Sequence, residues 1–253
     1  MRVLIITVTL ISVSIVPSAV GGTFHFGAMP SASPTPQSRQ DRKRNQRPVT
    51  QAEAPTADSV TRQGASFKYV FSQPDFVYRR MTVEHDSMGR GTFSFDRMGN
   101  DGEITERIQI SQKVVDRLKA SFDSLRFLES EENYQHGRDY AHLGTVELTL
   151  AIGDRERTAR FNWTDNIQAR ALMDDYRRIT QQFLWVFDIN LSRENQPLES
   201  PGLMATLENL MRRGELADAE QLIPLLEELS IDERLPLIAR NRAGSVIRSI
   251  RKE

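Results

Sequence analysis

Apolar residues at every second position mark Val146, Leu148, Leu150 and Ile152 as one face of a strand, the pattern of a sheet with one buried side. A turn at Gly153-Asp154 sets Val146 opposite Phe161 and Leu148 opposite Ala159. The same register sets Glu147 opposite Arg160 and Thr149 opposite Thr158 on the other face. Apolar meets apolar and opposite charges meet, so one hairpin satisfies both faces. The stretch FSFDRMGNDGEITERIQI, Phe93 to Ile110, passes a similar test with a two-residue turn at Asp101-Gly102, the pair favoured where both central residues need positive φ. Phe95 then faces Ile108, Phe93 faces Ile110, Arg97 meets Glu106, Asp96 meets Arg107 and Ser94 meets Gln109. A calcium loop does not fit there: with Gly102 or Gly99 at its sixth position, Arg97 or Met98 falls where an oxygen ligand is required. Upstream, order begins near Phe67, and Phe76 to His85 reads as a further strand with Val77, Met81 and Val83 inward.

Helical spacing takes over between the hairpins. Ser111 stands at an N-cap, and Val114, Val115, Leu118, Phe122 and Leu125 share one face of a helix over Gln112–Leu125. Arg126 to Leu143 is polar and irregular. Asp165 or Asn166 starts a second helix with Leu172, Tyr176, Ile179, Phe183 and Val186 on its apolar face. A charge at Ile179 or Phe183 is predicted to unfold the domain. The chain then turns helical: Pro201 to Arg213 closed by Gly214, Glu215 to Leu229 bent at Pro224, and Asp232 to Arg251 with Asp232 as N-cap and Pro236 kinking its start. These pieces predict an α+β fold. An antiparallel sheet of about four or five strands, built from hairpins with two helices on one face, occupies 67–190. A linker at 191–200 and a helical segment at 201–253 follow.

Composition changes the picture at the N-terminus. Residues 1–21 carry Arg2, an apolar run from Val3 to Val16, and Ala19-Val20-Gly21 as a cleavage site, the pattern of a signal peptide. The apolar run is shorter than the ~20 residues of a spanning helix, so cleavage is preferred to retention as an anchor. Residues 22–66 are rich in Pro, Ser, Thr, Gln and Arg and read as a disordered linker. Its basic run, Arg39 to Arg47, reads first as solvated charge and second as a weak contact to an anionic envelope surface. The chain has no cysteine, which excludes disulfides, thiolate metal sites, a cysteine nucleophile and a lipidated N-terminal Cys. A formal net charge of −1 removes the overall signature of a nucleic-acid binder.

Candidate chemistry is sparse. His136, Asp139 and His142 fall close together but match no compact helical metal motif. His85, between Glu84 and Asp86, reads as exposed charge pairing at a strand end. No G-x-S-x-G nucleophile elbow occurs, and Glu129, Glu131 and Glu132 read as a solvated acidic run. No residue is therefore assigned as catalytic, cofactor-binding or metal-ligating, and no cofactor is expected.

Asp101-Gly102, Ile110-Ser111, Leu118, Phe122, Phe127 and Tyr134 follow a strand, turn, helix and hairpin order over 92–188. That order resembles a family of uncharacterised exported bacterial α+β domains, a domain of unknown function. The family often carries a Cys-containing segment near its first strand, and this chain has none. The resemblance implies fold and export and lends no site residues. The preferred expectation is a periplasmic or secreted, non-enzymatic binding or structural protein of the bacterial envelope, with a protein or cell-wall partner and no nucleic acid. Two alternatives stand beside it: a metal-dependent hydrolase using His136, Asp139 and His142, and a protease inhibitor offering the 129–143 loop.

Overall fold

Six antiparallel strands form one sheet in the order β4-β3-β2-β1-β5-β6, one more than the upper expectation from the sequence. They are β1 (Ala65–Ser72), β2 (Tyr78–Asp86), β3 (Arg90–Arg97), β4 (Glu103–Gln109), β5 (Thr145–Ile152) and β6 (Arg155–Phe161). The computed structural model describes residues 64–99 and 102–252, all within the unit Ala57–Glu253. The expected signal peptide at 1–21, the basic run 39–47 and most of the 22–66 linker lie outside the described residues. Ala65 and Ser66 already belong to β1, so the expected linker ends before them.

β1 is the strand the periodicity missed, and it joins the two hairpins at the centre of the sheet. Phe67, Tyr69 and Phe71 face the same side, pairing on one flank with His85, Val83 and Met81 and on the other with Leu150, Leu148 and Val146. The β5–β6 register matches the sequence reading, with Val146 opposite Phe161 and Leu148 opposite Ala159. Thr149 and Thr158 share a 2.7 Å hydroxyl hydrogen bond on the opposite face.

The first hairpin differs. Phe95 pairs with Ile104 rather than Ile108, Phe93 with Glu106, and Ile108 with Gly91. Asp96 finds its cation in Arg79 at 2.8 Å, not in Arg107, and Ser94 bonds Thr105 at 2.8 Å. β3 ends at Arg97 and β4 begins at Glu103, so the strand ends lie further apart in sequence than a two-residue turn at Asp101-Gly102 requires; Asn100 and Asp101 themselves lie outside the described residues. The reason lies in the neighbours. β3 is held by β2, with Val83 opposite Phe93 and Met81 opposite Phe95. Ile110, expected in the ladder, leaves it: its N–H donates to the Gly89 carbonyl at 2.8 Å, and its side chain joins the core. Gly91 is required where it stands, because a Cβ there would meet the Glu84 carbonyl oxygen at 1.8 Å. Val77, expected inward, is exposed at the entry to β2.

Two helices cover the apolar face. α1 (Gln112–Ser124) buries Val114, Val115, Leu118 and Phe122 as its spacing predicts. Ser111 holds the N-cap position, but its hydroxyl makes no capping bond and is buried without a partner. α2 (Ile167–Asn195) is capped by Asn166, whose side chain accepts from the N–H groups of Gln168 and Ala169 at 3.0 Å each. Its first half places Ala169, Leu172, Met173, Tyr176 and Ile179 in the sheet core, with Tyr69 stacked on Tyr176 at 5.0 Å.

α2 then continues through Asn195, where a linker was expected from 191. Its second half turns Trp185 and Ile189 into a separate core formed with α3 (Ser200–Arg212), α4 (Ile223–Ile231) and α5 (Leu237–Ile250). The expected helix from Glu215 begins only at Ile223, because Pro224 takes a first-turn position instead of bending a longer helix. α5 starts at Leu237, with Pro236 before it and not within it. Asp232, expected as that helix's N-cap, instead bonds Arg234 at 2.7 Å and Arg193, near the end of α2, at 2.5 Å. Hydrogen bonds from Arg234 and Arg193, opposed by burial, hold its carboxyl well below the usual carboxylate range.

His85 is buried rather than an exposed end of β2. Its ring stacks on Phe67 at 4.9 Å and its Nε2 lies 3.0 Å from the Tyr176 hydroxyl. Nδ1 is 2.9 Å from the Asp86 carbonyl, which only accepts. Nδ1 therefore carries the proton of the neutral ring, and the Tyr176 O–H donates to Nε2. Burial pushes the His85 pKa down, against the opposing pull of the Asp86 carbonyl and carboxylate; Lys119 on α1 adds to the depression. A depressed histidine pKa means the unfolded chain binds the proton first. Stability is thus expected to fall as pH drops below about 6.5, by at most about 1.4 kcal/mol per pH unit. Urea unfolding at pH 7.5 and 5.5 checks this. His85→Gln should be less stable at both values yet show a smaller difference between them; an unchanged difference would exclude His85 as the source.

Candidate functional site

Residues 125–144 connect α1 to β5 without regular structure except for a short 3₁₀ turn at Ala141–Leu143. The segment is nonetheless anchored. The Arg157 guanidinium of β6 donates to the Phe127 carbonyl at 2.7 Å and the Glu132 carbonyl at 2.7 Å, while lying over the rings of Phe127 and Tyr134. Asn162, just after β6, holds the next part. Its Oδ1 accepts from Gln135 Nε2 at 2.8 Å and the Tyr140 N–H at 3.3 Å, and its Nδ2 donates to Asp139.

The three residues of the metal alternative do not converge. The His136 Nδ1 accepts the Arg138 N–H at 2.9 Å, so its Nε2–H points to Asp165 at 3.2 Å. Asp139 is engaged by Asn162, and the His142 ring lies edge-on to Tyr140. Among the described residues, no three His, Asp or Glu side chains are grouped to hold a metal ion. The segment gathers aromatic rings instead. Tyr140 lies 5.4 Å from the His136 ring, 6.2 Å from His142 and 6.3 Å from Trp163. Arg138 covers one side of Tyr140 at 5.4 Å, and Arg170 covers Trp163 at 4.7 Å.

A second candidate is a groove of about 500 Å³ beside β4, within the size range of ligand pockets. Phe93 and Ile108 of the sheet line it together with Phe183, Val186, Phe187 and Leu191 of α2, and with Leu222 and Leu225 of the helical segment. Glu106, Glu194 and Gln221 add polar groups. The groove exists because α2 changes its allegiance. Its buried line runs Tyr176, Ile179, Gln182, Trp185, Ile189, one residue behind the predicted stripe at Phe183 and Val186. That offset turns Trp185 toward the helical core and leaves Phe183 and Val186 half-buried along the groove. The sequence signal for this was present: Trp185 and Ile189 form a second apolar row beside the first.

β4 is an edge of the sheet, and among the described residues no strand pairs with its outer side. Gln221 closes only its end, donating to the Gln109 carbonyl. A second hollow sharing Leu191 contains Asp188, Arg97 and Glu199. Burial lifts the Asp188 carboxyl above its usual range, and Arg97 opposes that rise.

The chain matches no family model, and no curated protein matches it significantly. No helix among the described residues is long and apolar enough to cross a membrane.

Proposed function

We propose that the chain is an exported binding protein of the bacterial envelope, periplasmic or secreted, which holds a partner polypeptide and performs no catalysis. The observation that carries this reading is the apolar groove running beside the edge of β4, with which no strand among the described residues pairs. An open edge offers backbone N–H and C=O groups to an extended segment, and an adjacent groove receives its alternate side chains. Leu191, 45% exposed, and the half-buried Phe183 and Val186 supply apolar surface at that edge. The signal-peptide pattern of residues 1–21 supports the location, and the resemblance to exported domains points the same way.

Deleting the helical segment would be a poor test, because it would uncover Trp185 and Ile189 on α2. A photoreactive residue at position 191 is the better probe, with position 158 on the polar sheet face as control. In envelope extract, position 191 should give a discrete adduct that Val186→Glu abolishes, while position 158 gives none. Equal labelling at both positions, or an adduct indifferent to Val186→Glu, would remove the groove from the account.

A further inference from the structure

We infer that the aromatic cluster around Tyr140 is a saccharide-binding site, and that it takes a sugar bearing a carboxylate. This site is distinct from the groove. The export reading bears only on where such a ligand would be met, and binding in vitro tests the site by itself.

The first argument is preorganisation. Tyr140 and Trp163 are two half-buried rings in edge-to-face contact, 6.3 Å apart at 66°, each with an arginine over one face. Neither ring is held by loop stiffness alone. Asn162 receives the Tyr140 N–H and fixes Gln135, while Arg170 stacks on Trp163 and donates to the Thr164 carbonyl at 2.6 Å. A platform already ordered loses little entropy when a ligand arrives. Ring faces that are apolar but edged with polar groups suit the C–H face of a pyranose, which is apolar on one side and hydroxylated at its rim.

The second argument is the balance of donors and acceptors. The acids in the cluster each have a partner: Asp139 has the neutral Asn162 amide, and Asp165, itself largely exposed, has His136 at 3.2 Å and Arg170 at 3.8 Å. The donors do not. Among the described residues, nothing accepts from the Tyr140 hydroxyl, the Trp163 indole N–H or the His142 ring, and none of these atoms is sealed from water. Arg138 is exposed and pairs with no carboxylate among the described residues; its guanidinium faces only the Tyr140 ring. A ligand rich in acceptors complements this surface, and a planar carboxylate matches the guanidinium fork.

The test is calorimetric titration of the full mature chain with two probes, a galacturonic acid hexamer and a neutral N-acetylglucosamine hexamer. The acidic oligomer should bind and the neutral one at least about tenfold more weakly. Tyr140→Ala should weaken the acidic oligomer by about tenfold or more, and Tyr140→Phe, which keeps the ring and loses only the hydroxyl donor, should weaken it less. Arg138→Gln, at an exposed side chain, should bring the acidic oligomer down to the level of the neutral one while the thermal transition stays where it was. Leu191→Glu in the groove should change neither, which separates this site from the proposed polypeptide site. Absence of binding to both oligomers, equal affinity for the two, or indifference to Arg138→Gln would each overturn the assignment.

Discussion

Ile179→Glu is expected to unfold the protein, and Phe183→Glu to leave it folded. The sequence placed both on one apolar stripe of a helix and predicted the same outcome for each. The structure separates them. Ile179 is fully buried beneath the sheet, packed in the same core as Tyr69, Val83, Leu148 and Tyr176. An ionised carboxylate there has no cation provided for it, so it must either take up a proton or open the core. Losing the isoleucine costs about 2–5 kcal/mol by itself. Burying an unpaired polar group adds several more, against a total stability of about 5–15 kcal/mol. Phe183 lies one step around the helix, half-buried along the groove. A glutamate there keeps its carboxylate in water and forfeits only part of the phenyl burial, roughly 1–2 kcal/mol. Far-ultraviolet circular dichroism with thermal melting distinguishes the two. Loss of the cooperative transition is expected for Ile179→Glu, and a lowered but intact transition for Phe183→Glu. If both variants melt alike, the division of α2 between two cores is wrong.

That separation shows where periodicity reads a fold and where it stops. In the β5–β6 hairpin the tight Gly153-Asp154 turn and the alternation agree, and every partner is as the sequence indicates. In β3–β4 the pairing is displaced by four residues along β4, since Phe95 meets Ile104 and not Ile108. An even displacement leaves each side chain on its own face. The inward set of Phe93, Phe95 and Ile108 was therefore legible although its partners were not. Charge complementarity between β3 and β4 does not decide the register, because β3 is paired with β2 as well as with β4. β1 was missed for a related reason. Its apolar residues, Phe67, Tyr69, Val70 and Phe71, blur the alternation, and a central strand announces itself through both of its neighbours at once. His85 shows the same limit from the side of chemistry. Flanking Glu84 and Asp86 suggested a wet strand end, whereas the Tyr176 hydroxyl that accommodates it in the core lies 91 residues away. The groove and the aromatic cluster were equally beyond local reading, since each is assembled from segments distant in sequence. The sequence marks components of each, Phe93, Ile108, Phe183 and Val186 in one and His136, Asp139 and His142 in the other, without showing that they come together.

Removing the Asp175 carboxylate is expected to produce the largest loss among the polar residues. Its side chain is 5% exposed and accepts from Arg117 Nε at 3.0 Å and Arg178 Nη1 at 2.9 Å. Each arginine reaches further: Arg117 to the Ala217 carbonyl at 3.4 Å and Arg178 to the Gly214 carbonyl at 3.1 Å. One carboxylate thus links α1, α2 and the chain leaving α3, where the two cores meet along the same helix. Asp175→Ala leaves two guanidiniums turned toward a site without an anion. Breaking a fully buried pair costs about 3–5 kcal/mol. Here Arg117 and Arg178 are 39% and 40% exposed and regain hydration, so a loss of roughly 2–3 kcal/mol is expected. Asp175→Asn keeps the shape and one acceptor and should fall between the two. Arg117→Ala alone should cost less than Asp175→Ala, and the double variant should cost less than the sum, because the second change then removes a partner already lost. Urea midpoints for the four proteins measure the coupling. Additive losses would mean that the two side chains only lie near each other. A clear coupling would make this carboxylate the polar fastening between the sheet core and the helical one, and would explain why a charge is tolerated on the buried side of α2.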